Sequence, residues 1–161
     1  MKPNPAETKV RQRMEAGVLS RDGFLGDDSR PLADIVADDE AVLAAAGVTA
    51  QRVGEVLQEI FAAAEAGLET QVTLFGGAVK ARVIEGMGRT PCPFACGVRN
   101  RKGELTIEFG PHRLVLTPLS VHMVREHGFF QGRGSRYRLE PALAVELLHA
   151  CQPPREACAS T

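Results

Sequence analysis

Four ligand-type side chains at fixed spacing constrain this chain more than any other feature. Cys92 and Cys96 stand four positions apart in TPCPFACG (90–97), and His122 and His127 stand five apart in LSVHMVREHG (119–128). Two pairs of soft or borderline donors, carried by two elements, can close a tetrahedron about zinc. The fold must then bring a cysteine loop to a helix bearing both imidazoles. Pro93 restricts that loop, and Gly97 allows a sharp turn in it. On an ideal helix two residues five apart point about 140° from each other. The helix therefore has to loosen at its end, which Gly128 permits. His112 and Cys151 are the reserve ligands. A redox pair is the weaker reading of the thiols, because C-x3-C is not the C-x-x-C of thioredoxin-like sites.

The stretch CPFACG…LSVHMVREH resembles the two-Cys, two-His zinc finger. Leu119 occupies the core position three residues before the first histidine. The resemblance spans residues 92–127 and departs from the family in one respect. Twenty-five residues separate Cys96 from His122, where the finger has about twelve, so a whole hairpin is inserted. Knuckle, hairpin and ligand-bearing helix also resemble a treble-clef module. The resemblance implies a structural Zn2+ held by Cys92, Cys96, His122 and His127. It does not extend to base reading, because Leu116, Pro118 and Val121 lack the donors and acceptors that read base edges.

Around this centre the periodicity predicts an α+β fold. Residues 5–17 look helical, with Val10 and Met14 on a narrow stripe. A Gly- and Asp-rich loop (18–30) follows. Leu32, Ile35, Val36, Val42, Leu43 and Ala46 keep helical spacing up to Gly47. Thr49 is a good N-cap for a helix whose face is Val53, Val56, Leu57, Ile60, Phe61 and Ala64, ending at Gly67. Val72–Phe75 and Val79–Ile84 read as a hairpin around Gly76-Gly77, and Leu105–Phe109 with Arg113–Thr117 as a second. A helix from Pro118 to His127 carries the imidazoles. Residues 132–138 (GRGSRYR) read as a basic loop leading into a strand, and Pro141 opens the last helix. The expected organisation is an acidic helical region (1–69), a basic β-rich zinc-binding region (70–150) packed with it as one compact domain, and a disordered tail (151–161).

Charge is distributed unevenly. Residues 1–77 carry seven Lys/Arg against thirteen Asp/Glu, and residues 78–140 carry eleven against five. The carboxylates Asp34, Asp38, Asp39, Glu40, Glu55 and Glu59 are expected on a solvated face, since no His or Cys joins them. The basic half suggests nucleic acid or an acidic protein as partner. Arg99, Arg101, Lys102, Arg133, Arg136 and Arg138 are the candidate contacts, with Tyr137 as a stacking platform. Phe129 and Phe130 are read as core in preference to stacking surfaces.

No stretch is long and apolar enough to span a membrane, and no apolar signal region opens the chain. A cytoplasmic location is the expectation. No H-E-x-x-H, G-x-S-x-G, Walker or deaminase signature occurs. The favoured reading is a non-enzymatic zinc-binding accessory or regulatory protein that contacts nucleic acid or another anionic partner. A protein–protein adaptor is the alternative, and a small zinc enzyme, using Glu126, a further one.

Overall fold

The computed structural model describes residues 4–152. Helices α1 (Pro5–Arg13), α2 (Leu32–Ala45) and α3 (Ala50–Ala66) precede four strands, β1 (Val72–Leu74), β2 (Val79–Pro91), β3 (Arg99–Phe109) and β4 (His112–Leu116). Helices α4 (Pro118–His127) and α5 (Pro141–Cys151) follow. The α+β class expected from the sequence is what forms. The tail from 153 onward, including Cys158, lies outside the described residues.

The strands make one antiparallel meander in the order β1-β2-β3-β4. Alternation decides which face is covered. Val79, Ala81 and Val83 of β2, Leu105, Ile107 and Phe109 of β3, and Leu114 and Leu116 of β4 are buried. They meet Val53, Val56, Leu57, Ile60 and Ala64 of α3, and Leu147 and Leu148 of α5, in one core that draws on both halves of the chain. The Thr49 hydroxyl accepts the Arg52 N–H as the N-cap of α3. Such a cap stabilises a helix by about 1 kcal/mol.

Strands β2 and β3 run further than the sequence suggests. β1 reaches only Ala81 of β2, and β4 only Leu105 of β3. Beyond Ile84 and Glu104 the two central strands pair solely with each other, to Pro91 opposite Arg99. The cysteine loop is therefore the tip of a two-stranded ribbon, not a link between two hairpins. A bulge interrupts the ribbon, where Gly86, Met87 and Gly88 face the single residue Lys102. Polar and glycine-rich stretches hide such strands from sequence, since their pairing comes from the backbone and not from an apolar face.

Residues 132–138 form no strand. They are docked on the loop 20–28. The Gly132 N–H donates to Phe24 O at 2.9 Å, and the Asp27 N–H to Arg133 O at 3.3 Å. A Cβ on Gly132 would collide with the Leu25 carbonyl, and one on Gly26 with the Ser135 backbone. Only glycine lets the two chains approach this closely. Asp28, also buried, accepts from the Arg133 N–H and from the Arg30 guanidinium. The Arg30 hydrogen bond holds the Asp28 carboxyl well below the usual carboxylate range, against the opposing effect of burial. This clasp is intact above the ordinary carboxylate range and is lost only as pH falls through the depressed value.

The expectation of a solvated acidic face fails at Asp39. It is 4% exposed and lies 2.8 Å from Arg138. Helical spacing places Asp39 four residues from Ile35 and Leu43, on the buried side of α2, so its charge has to be matched from outside the helix.

Candidate metal centre

Each ligand pair is delivered by a local rule. At the ribbon tip the Cys92 N–H donates to Val98 O (2.9 Å) and the Ala95 N–H to Cys92 O (3.0 Å), closing a tight turn. Ala95 and Gly97 both take positive φ there, 57° and 87°. Arg13, at the end of α1, donates from Nε to Pro93 O at 2.7 Å and ties the turn to the N-terminal helix. α4 starts with a capping box, in which Thr117 Oγ1 accepts the Ser120 N–H and Ser120 Oγ the Thr117 N–H. It ends at Gly128 in the left-handed conformation (φ 60°). The Gly128 and Phe129 N–H groups bond back to Val124 O and Met123 O.

The four expected ligands converge. Cys92, Cys96, His122 and His127 each offer a ligand atom, and all four atoms lie within 4.8 Å of one another. Cys92 Sγ is 3.5 Å from His127 Nε2, and Cys96 Sγ is 3.3 Å from His122 Nε2. With metal–sulfur bonds of about 2.3 Å and metal–nitrogen bonds of about 2.0 Å, tetrahedral S···N edges come to roughly 3.5 Å. The donors are spaced for such an ion. The 140° problem is solved by reach. His127 is the last helical residue, and the two rings sit 5.3 Å apart, edge to face. The reserve residues play no part. His112 pairs with Glu146, and Cys151 ends α5 beside α3.

Burial also sets protonation. It pushes the Cys92 thiol up to about 12, with Cys96 adding to the shift and the Phe94 N–H and Arg13 opposing it. It lowers both His122 and His127 below the usual imidazole value. The imidazoles are thus held in the neutral form that binds metal, while Cys92 must lose its proton as metal enters.

The support around these ligands is not among the features read from the sequence. Phe94 stacks on the His127 ring, with centroids 4.2 Å apart and planes at 11°, and meets Phe129 edge-on. Cys92 belongs to a second core with Met14, Phe24, Leu25, Leu32, Ile35, Leu119, Met123 and Phe129. The Gly- and Asp-rich loop and the N-terminal helices therefore buttress the centre. The signal was present in Phe24, Leu25 and Phe94, isolated apolar residues in otherwise polar loops.

The basic candidates separate into two groups. Arg99, Arg101 and Lys102 are exposed on the ribbon. Arg138 is not; its side chain is 7% exposed, and all five of its N–H donors go to Asp39, Glu140 and Gln131 O. Arg136 bridges Asp22 and Glu104. Tyr137 donates to Glu104 at 2.7 Å, and Arg136 lies over its ring. Arg133 is exposed on the docked segment. Phe129 and Phe130 are core. Comparison with protein families, with curated proteins and with solved structures returns no match.

Cobalt gives a direct check on the ligand set. Protein loaded with Co2+ should show the intense visible bands of a tetrahedral site together with a thiolate charge-transfer band near the ultraviolet. An octahedral spectrum, or metal retained by a Cys92→Ser/Cys96→Ser variant, would remove the assignment.

Proposed function

We propose that this is a zinc-binding protein whose metal has a structural role and whose basic ribbon contacts nucleic acid through the phosphate backbone. The donor set supports zinc, since two thiolates and two imidazoles fill its preferred four-coordinate shell and leave no position for a substrate. The observation that carries the nucleic-acid reading is the ribbon. Between Ile84 and Gly103 it holds Arg89, Arg99, Arg101 and Lys102 against one acidic residue, Glu85. All four cations are exposed, and the metal centre closes its tip. A two-stranded ribbon is narrow enough to lie in a duplex groove. The contact is read as phosphate-led, because the ribbon presents charge in preference to base-reading amides.

Binding should therefore fall steeply with salt and vary little with sequence. Each phosphate neutralised on duplex DNA contributes about −0.9 to the slope of log K against log salt. Arg89→Gln/Arg99→Gln is expected to make the slope shallower by about 1.5 to 2 while zinc is retained. Fluorescence anisotropy with random single- and double-stranded oligonucleotides reads this out. No binding of either at low salt defeats the proposal.

One observation favours the adaptor reading instead. Met87 is 95% exposed at the bulge, with Ile84 and Val98 also solvent-facing on the same ribbon. Apolar groups beside cations suit a partly acidic protein surface. Loss of nucleic-acid binding, with dependence of a protein contact on Met87, would select that reading.

A further inference from the structure

A cavity of about 420 Å³ opens between the base of the ribbon, the loop 20–24 and the docked segment 131–137. This is the size range of small-molecule sites. Phe24, Ile84, Leu119 and Tyr137 supply apolar surface, and Thr90, Thr117 and Gln131 supply polar groups.

The walls are fixed. Gln131 is 2% exposed and sits at φ 73°, a conformation that costs a non-glycine residue energy and persists only when its surroundings enforce it. Its amide does so, donating from Nε2 to Ser120 Oγ at 3.1 Å and accepting from Ser135 Oγ at 2.5 Å. Gly132, locked on Leu25, holds the next residue.

Two cations of the lining stand outside its ion pairs. Its three carboxylates already have cations, Glu85 with Arg101 at 3.5 Å, and Asp22 and Glu104 with Arg136. Glu104 also accepts the Tyr137 hydroxyl. Arg21 and Lys102 line the cavity and have no ion-pair partner among the described residues. Apolar surface beside two cations that make no ion pair suits an amphipathic anion.

We infer that this cavity binds a small amphipathic organic anion, a carboxylate or sulfonate on a compact apolar body. The apolar part would lie against Phe24, Leu119 and Tyr137, and the anionic group would meet Arg21 and Lys102. This site is separate from the metal centre; it shares Arg101 and Lys102 with the ribbon, but Arg89 and Arg99, which test nucleic-acid binding, do not line it.

The test uses the full-length, metal-loaded protein and a matched pair of fluorescent probes. 1-Anilinonaphthalene-8-sulfonate carries the anion, and N-phenyl-1-naphthylamine is the same body without it. The sulfonate is expected to bind at one saturable site at least about tenfold more tightly than the neutral probe. Naphthalene-1-acetate should displace it. Arg21→Glu/Lys102→Glu should weaken the sulfonate about tenfold or more and leave the neutral probe unchanged. Arg113→Glu, one of the same charge reversals placed on the outer sheet, should leave both unchanged. Equal affinity for the two probes overturns the anionic class. Absence of saturable binding by either, with the thermal transition of the folded protein intact, overturns the site itself.

Discussion

If the proposed zinc is bound, Cys92→Ser or treatment with a chelator is expected to unfold the ribbon tip and the end of α4 while the core between α3 and the sheet survives. The tip, residues 92–98, is held by two backbone hydrogen bonds, the Arg13 contact, the packing of Cys92 and Phe94, and the ligands, and most of these converge on the metal centre. Binding of structural zinc is worth about 10–16 kcal/mol in isolated finger peptides, comparable to the whole stability of a typical domain. Cys92 is 3% exposed and sits in the second core, so its loss also disturbs Phe129 and Met123. Cys96 is exposed, and Cys96→Ser should weaken metal binding with less effect on the apo protein. Hydrogen exchange with and without chelator is the measurement. Protection should fall most in residues 90–100 and 122–129 and least in residues 53–64. An equal fall in both regions, or none in either, contradicts the structural role of the metal.

Much of this arrangement is legible in the sequence, for identifiable reasons. Helix α3 announces itself through Thr49, a clean apolar stripe and Gly67, because its local and tertiary preferences agree. The ligands are legible because cysteine and histidine have few other uses at such spacing. The ribbon is not. Arg89 to Pro91 and Arg99 to Gly103 lack the alternation that marks a strand, and only their pairing and the closed tip make them one. The loop 18–30 is hidden for a related reason. Its structure is dictated by Gly26 and Gly132 touching a segment over a hundred residues away, and no local pattern encodes a distant contact. Arg138 shows the same limit at a single side chain. An arginine among arginines reads as surface, and only the position of Asp39 on the inner side of α2 reveals it as the partner of a buried charge.

That pair is where the second large effect is expected. Asp39→Ala should destabilise the protein toward the lower end of the about 3–5 kcal/mol that breaking a buried ion pair costs, because Arg138 keeps a second carboxylate, Glu140, at 2.9 Å. The guanidinium is tied to the segment that carries it, since Arg138 also binds Gln131 O and the Leu139 N–H bonds Phe130 O. The damage should therefore spread to the 131–138 segment and to the cavity it walls. Asp39→Ala/Arg138→Met removes the stranded charge and keeps the apolar stem, and it should recover most of the loss, because a buried pair contributes little net stability over apolar groups of similar size. Arg133→Ala, on the same segment but exposed, should stay within about 0.5 kcal/mol of the parent. Urea denaturation of the four proteins at equal zinc loading decides the matter. If Asp39→Ala is as mild as Arg133→Ala, the pair is dispensable, and the docking of the segment rests on its backbone contacts with the loop 20–28, Asp28 and the Gln131 amide.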